Sequence, residues 1–310
     1  MKTKLIAVVG PTGTGKSDLA IHLAQTLAAN GVRAEIVNAD SMQLYRGMDI
    51  GTAKLPPDER GGVEHHLLDV LDVSEESTAA AYQEIARPLI EKLQDEGVVP
   101  ILVGGSMLYL AAVLNIFEFS ARDSDLRANL EAELEAEGVA AMYQKLQALD
   151  RATASRIDPL NPRRVVRALE VVTLTGEPFA AELPKEIDSW QPVLEIGLNS
   201  DRAHLVQRLA KRVENMWQRG IVEEAEGLLD EGLRESKTAS VAIGYSQALA
   251  QLDGLLSEVE AIEQTTRLTQ RYARRQMSWF RRDSRIQWLD YQDPELTSKA
   301  EALLLSTLGE

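Results

Sequence analysis

Leu5-Ile6-Ala7-Val8-Val9 followed by Gly10-Pro11-Thr12-Gly13-Thr14-Gly15-Lys16-Ser17 decides the fold. Five consecutive apolar residues suit a strand buried on both faces of a parallel sheet, and the next eight satisfy the pattern G-x-x-x-x-G-K-[ST]. From Ser17 to Leu27, the residues Leu19, Ala20, Leu23, Ala24 and Leu27 fall on one helical face. Strand, glycine-rich loop and helix in that order form a phosphate-binding loop. Its glycines let backbone N–H groups converge on phosphate oxygens, with the positive end of the helix dipole behind them. Lys16 adds a positive charge, and the Ser17 hydroxyl can ligate Mg²⁺. Alone, the loop identifies the bound group and not the reaction. Most such loops hold ATP or GTP, which makes a kinase or NTPase the default.

Outward from the loop, strand and helix alternate. Ala34 to Asn38 follows Gly31 as a second strand and runs into Asp40; a helix spans about Thr78 to Gln94; Val98 to Val103 is a third strand, stopped by Gly104-Gly105. Such alternation gives a parallel sheet flanked by helices, with the site formed by loops at the strand C-termini. From about Phe117 to Glu182 the strand signal disappears. Leu126, Leu130 and Leu134, then Met142 to Leu149, then Pro162 to Thr173 follow helical spacing, which predicts an all-helical insertion. Val193 to Leu198 restores a strand, and helices are expected over Arg202–Trp217, Val222–Leu229 and about Glu258–Arg282. The expected organisation is a core from 1 to 115, an insertion from 116 to 190, and the rest of the core from 191 to 310.

Composition narrows the class. With 45% of 310 residues hydrophobic, the chain can bury a large core, as one large domain or two unequal ones. It has no cysteine, which excludes disulfides, thiolate metal sites and a thiol nucleophile and fits a cytosolic address. Met1, Lys2 and Lys4 before Leu5–Val9 resemble the start of a signal peptide, but the apolar run is too short and ends in the glycine-rich loop. No other stretch approaches the roughly 20 apolar residues of a membrane span. A formal charge of −15 argues against coating nucleic acid through the overall field. Local charge differs: seven arginines and one acid lie between Arg267 and Arg285, and Arg151, Arg156, Arg163, Arg164 and Arg167 form a second cluster. Each cluster taken singly also fits a solvated helix face.

Two further segments bear on chemistry. Asp40-Ser41-Met42-Gln43-Leu44-Tyr45 sits at the end of the second strand, where a carboxylate can face the phosphate loop; a helix N-cap is the competing reading. Gly104-Gly105-Ser106 stands where many NTPases carry an acid, which favours close backbone approach to a ligand with the Ser106 hydroxyl aimed at it. His65 and His66, being adjacent and without metal-ligand spacing, read as structural groups.

Together the phosphate loop, Asp40 to Tyr45, Gly51-Thr52-Ala53-Lys54, His65 to Asp69, Gly104 to Tyr109, Asn161 to Glu170, Ile243 to Tyr245 and Tyr272 to Arg282 occur in the order seen in transfer-RNA dimethylallyltransferases, which the chain resembles over nearly its whole length. Ser106 stands where that family commonly has Thr, and Met107 where it commonly has Gly. The resemblance implies transfer of a dimethylallyl group from its diphosphate to N6 of the adenosine just 3′ of the anticodon, by a cytosolic monomer using Mg²⁺. It assigns catalysis to Asp40 as general base with Lys16, Ser106 and Arg208, and diphosphate binding to Gly10 through Ser17 with Arg202 and Arg212. Contacts with the anticodon stem-loop fall to Asp40, Ser41, Met42, Gln43, Ser106, Arg127, Arg163, Arg164, Val165, Val166 and Arg167. A small-molecule kinase with a helical lid and a nucleotide-gated RNA-binding module are the alternatives.

Overall fold

In the computed structural model, which describes residues 4–116, 119–120, 122–179 and 188–308, the chain divides into two compact units. One comprises residues 1–115 and 189–310, the other 116–188. Phe117 and Glu182, which bound the stretch without strand signal, and Met1 and Lys2 lie outside the described residues.

The larger unit is built on six parallel strands: β1 (Leu5–Val9), β2 (Ala34–Asn38), β3 (His65–His66), β4 (Val99–Val103), β5 (Val193–Asn199) and β6 (Gln287–Asp290), in the spatial order β3-β2-β4-β1-β5-β6. β1 lies near the middle, pairing Ile6 with Ile101 on one side and with Leu194 on the other. Its alternation sorts the core: Leu5, Ala7 and Val9 face one hydrophobic cluster, Ile6 and Val8 the other. Each fully buried side chain of this kind contributes about 1.5–3 kcal/mol.

Helix α1 (Lys16–Ala29) covers the Ile6 face, and α2 (Ala79–Asp95) and α3 (Met107–Leu114) the Leu5 face. In the smaller unit α4 (Ser124–Leu149), kinked at Gly138, α5 (Arg151–Ala154) and α6 (Pro162–Thr175) close around Leu130, Met142, Leu146, Val165, Val166 and Leu169. Asn161 caps α6 by accepting from the Arg164 N–H at 3.1 Å, and Pro162 fills the first turn, where its missing N–H costs nothing. Back in the larger unit come α7 (Arg202–Gln218), α8 (Ile221–Gly227), α9 (Tyr245–Leu252), α10 (Glu258–Phe280) and α11 (Leu296–Leu308). The strands β3 and β6 and the helices α3, α5, α9 and α11 are additions to what the sequence predicts.

Candidate active site

Parallel strands bring their C-terminal ends to one edge, and the phosphate loop forms there. Gly15 is the N-cap of α1 in the left-handed region, φ 76°, where a side chain would be strained and no side-chain cap is made. The Lys16 ammonium folds back to donate to the Pro11 carbonyl at 2.8 Å, and the Thr14 hydroxyl donates to the same oxygen at 2.9 Å. Buried Gln276 of α10 accepts from the Thr12 N–H at 2.9 Å and donates to the Gly105 carbonyl at 2.7 Å. One N–H of the loop is therefore committed to the protein, and the expected convergence of consecutive N–H groups does not include Thr12.

Beside the loop lies a cavity of about 230 Å³ lined by Gly13, Lys16, Ser17 and Asp18, by Asn38, Asp40 and Gln43, by Thr52 and Ala53, by His65, Gly104 and Gly105, and by Arg208 and Arg212. Burial pushes the Lys16 ammonium down to about 8; Asp40 works against that shift and Arg212 adds to it. Burial likewise holds Arg212 below the usual guanidinium range, with Asp40 opposing and Arg208 reinforcing the shift. One Arg212 nitrogen donates to the Thr52 carbonyl at 3.3 Å, but its buried Nε has no partner among the described residues. Three cations thus share the cavity with the carboxylates of Asp18 and Asp40. Lys16 and Arg212, both drawn out of water, call for an anion.

The carboxylate of Asp40 is held by its loop. Its Oδ1 accepts from the Met42 N–H at 2.9 Å, and its own N–H donates to Asn38 Oδ1 at 3.0 Å. Asn38 also donates to the carbonyls of Asp40, at 3.1 Å, and Leu67, at 2.9 Å. Residues 41–44 form a turn, not a helix, so Asp40 is an Asx-turn residue and the N-cap reading is set aside.

A family model described as IPP transferase matches residues 43–283. The chain belongs to the IPP transferase family. A tRNA dimethylallyltransferase of Thermobifida fusca is 52% identical over 300 residues, 97% of this chain and 94% of its own. Among solved structures, a tRNA isopentenylpyrophosphate transferase of Bacillus halodurans is 39% identical with TM-score 0.71, covering 99% of this chain and 96% of its own. A eukaryotic dimethylallyltransferase acting on tRNA is 28% identical with TM-score 0.79, covering 98% and 79%.

Within this family member, the residues expected at the site fall into three groups. Gly13, Gly15, Lys16, Ser17, Asp40, Gln43, Arg208 and Arg212 all line the cavity; Arg208 and Arg212 are one turn apart on the same face of α7. A second group lies close by with other duties. Ser106 is buried, accepts from the Ser41 N–H at 2.9 Å and donates to the Ser41 hydroxyl at 3.1 Å. Instead of lining the cavity, it ties the Asp40 loop to the end of β4. Gly104 and Gly105 line the cavity, as the expected close backbone approach to a ligand requires, and are also crowded by protein: a Cβ on Gly104 would come within 2.4 Å of the Ala39 carbonyl oxygen, and one on Gly105 within 2.4 Å of Gln276. Met42 packs against the cluster around Tyr45 and Tyr245, away from the cavity lining. Met107, where the family commonly has Gly, opens α3 without a positive φ.

The third group departs further. Arg202, six residues before Arg208, is exposed and does not line the cavity. Val165 and Val166 are 0% and 1% exposed in the smaller unit's core, so their side chains have no surface to offer RNA. Arg163 and Arg164 are exposed, whereas Arg167 pairs with Glu170 at 2.6 Å and donates to the Ser120 carbonyl at 2.7 Å. Arg127 reaches the same fully buried Glu170 at 3.1 Å and Glu131 at 2.8 Å. The expected face of Arg163, Arg164 and Arg167 is therefore split: Arg163 and Arg164 are exposed, and Arg167 is drawn to the buried Glu170.

Sequence reading missed Asn38, Thr52, Ala53, Gln276 and the cavity-facing side of His65. His65 Nδ1 lies 2.8 Å from the Val63 carbonyl, its buried Nε2 has no partner among the described residues, and burial lowers its pKa. His66 turns the other way to Glu35 at 2.6 Å. Opposite directions for the pair follow from strand alternation, and His65 is the one of the two that lines the cavity.

Proposed function

We propose that the protein transfers the dimethylallyl group of dimethylallyl diphosphate to N6 of the adenosine 3′ of the anticodon in transfer RNA. The observation that carries this reading is the set of three cations, Lys16, Arg208 and Arg212, gathered in the phosphate-loop cavity with the orphaned Arg212 Nε. The names of its relatives supply the substrate class. Lys16, Arg208 and Arg212 take up the charge that grows on the diphosphate as the allylic C–O bond loosens and its electron pair passes to the departing oxygen. N6 attacks the allylic carbon, and Asp40, fixed by Met42 and Asn38, accepts the amine proton. Products are N6-(dimethylallyl)adenosine and diphosphate.

The oxygen donors available for Mg²⁺ are the Ser17 hydroxyl and the carboxylates of Asp18 and Asp40, all cavity-lining and all of the hard type this ion accepts. Among the described residues no cluster of three or more His, Asp or Glu could hold a metal alone, which fits an ion shared with substrate phosphates. Bound there, Mg²⁺ supplies further charge neutralisation for the leaving diphosphate. No described helix is long and apolar enough to cross a membrane, and transfer RNA as substrate supports a cytoplasmic location. Incubating the protein with dimethylallyl diphosphate and unmodified transfer RNA, then analysing the nucleosides by mass spectrometry, tests the reading. A dimethylallyl adduct on adenosine is expected; unmodified adenosine throughout would overturn it.

A further inference from the structure

Tyr291 lies just beyond β6, at the same edge of the sheet as the phosphate loop. Its N–H donates to the Asn199 carbonyl at 2.9 Å, extending the β5–β6 pairing by one bond and fixing where its ring emerges. The ring lies against the loop: a Cβ on Gly15 would come within 2.9 Å of Tyr291 Cε2. The Arg208 guanidinium sits over the same ring, 4.6 Å from its centroid, and donates a short hydrogen bond to the Tyr291 hydroxyl. Arg208 is otherwise exposed, on a long side chain that in water would sample many rotamers.

We propose that Tyr291 is a positioning residue for donor binding: it stacks under Arg208 and holds the guanidinium at the phosphate-loop cavity in the pose that meets the diphosphate. The proposal rests on the donor reading given above. Arg208 lines the cavity while stacked, so the contact presents the cation to the cavity. A cation held by a π face and one hydroxyl keeps its charge and most of its N–H donors, whereas a carboxylate partner would neutralise it. Tyr291 therefore removes rotamer freedom from Arg208 before the anion arrives, lowering the entropy cost of binding.

The test is a double-mutant cycle read by donor KM, kcat, and calorimetric binding of inorganic diphosphate. Tyr291→Ala is expected to raise donor KM and diphosphate Kd by roughly three- to tenfold, the scale of one exposed-to-half-buried cation–π contact, with kcat within about twofold and RNA KM unchanged. Tyr291→Phe, which keeps the ring, restores most of the loss. In the Arg208→Ala background, Tyr291→Ala adds nothing further, because both changes remove one unit. Wild-type protein that turns over and binds diphosphate, with a Tyr291→Ala variant matching it in KM and Kd, or with additive losses, overturns the positioning role alone. Wild type that fails to bind diphosphate overturns the donor reading and this proposal with it.

Discussion

Arg212 donates to the Thr52 carbonyl at 3.3 Å while its buried Nε meets no acceptor among the described residues. A guanidinium normally fills its five donors, and a buried donor left open costs about 1–3 kcal/mol. The strain is relieved when an anion enters the cavity. The same logic governs Lys16, whose folded position sacrifices solvation and gains one carbonyl.

Lys16 gives the first prediction. Burial disfavours its charged form, so in the free enzyme the ammonium loses its proton as pH rises through about 8, well below its ordinary 10.5. Bound diphosphate favours the charged form and moves the value back up. Donor kcat/KM should therefore fall above pH of about 8 while kcat holds, and Lys16→Ala should raise donor KM, lower kcat and leave RNA affinity intact. A donor kcat/KM flat to high pH in the wild type contradicts the assignment.

Asp40 gives the second. Its carboxylate accepts from the Met42 N–H, a contact that an Asn side-chain oxygen can reproduce, while Asn38 holds its backbone at the N–H and the carbonyl. Asp40→Asn should fold, bind both substrates and turn over about 10²- to 10⁴-fold more slowly in single-turnover experiments, the usual loss of a general base. A loss under about tenfold places the base elsewhere.

RNA contact gives the third, and the structure changes which residues can test it. Arg163→Ala with Arg164→Ala should weaken binding of all substrate RNAs alike and lower the log–log salt slope by roughly 0.7–0.9 per lost contact. Arg167→Ala should instead cost about 3 kcal/mol of stability, toward the low end for a broken buried pair because Arg127 still holds Glu170. Unaltered RNA affinity and salt slope in the double variant would leave that surface as a solvated face.

Glu195 of β5 supplies a fourth prediction, on stability. It is 3% exposed, and burial raises its carboxyl from 4.5 to about 7, with Asp283 adding to the rise and Arg285, 3.3 Å away, opposing it. Between those values the folded state holds a proton the unfolded state has lost, so stability falls as pH rises through this window. Denaturation at pH values on either side should show the Glu195→Gln variant gaining on the wild type by up to about 3 kcal/mol at the higher pH. A difference between the two that stays constant with pH would show that Glu195 is ionised throughout, held by Arg285.

The parts of the fold legible in the sequence are those where burial is two-sided or capping chemistry is local. Leu5–Val9 and Val99–Val103 are fully buried and read as unbroken apolar runs; Asn161-Pro162 announces α6. β6 escapes because Gln287–Asp290 is four residues long with both ends exposed, and β3 because two histidines carry no periodicity. At the site, the loop and Asp40 are legible since their chemistry lies in consecutive residues. Helical periodicity would have separated Arg208 and Arg212 from Arg202, since four residues return to one face and six do not. It would also have placed Val165 and Val166 in the core. Gln276 and Tyr291 reach the loop from far along the chain, through packing that no local pattern encodes.

Whether the phosphate loop holds an allylic diphosphate donor for RNA is decided by supplying radiolabelled dimethylallyl diphosphate and labelled ATP together to the protein and bulk transfer RNA, and following where each label goes. Prenyl label in RNA, dependent on Lys16 and Asp40, with ATP left intact is expected; ATP consumed without RNA, and no prenyl label transferred, would overturn the assignment.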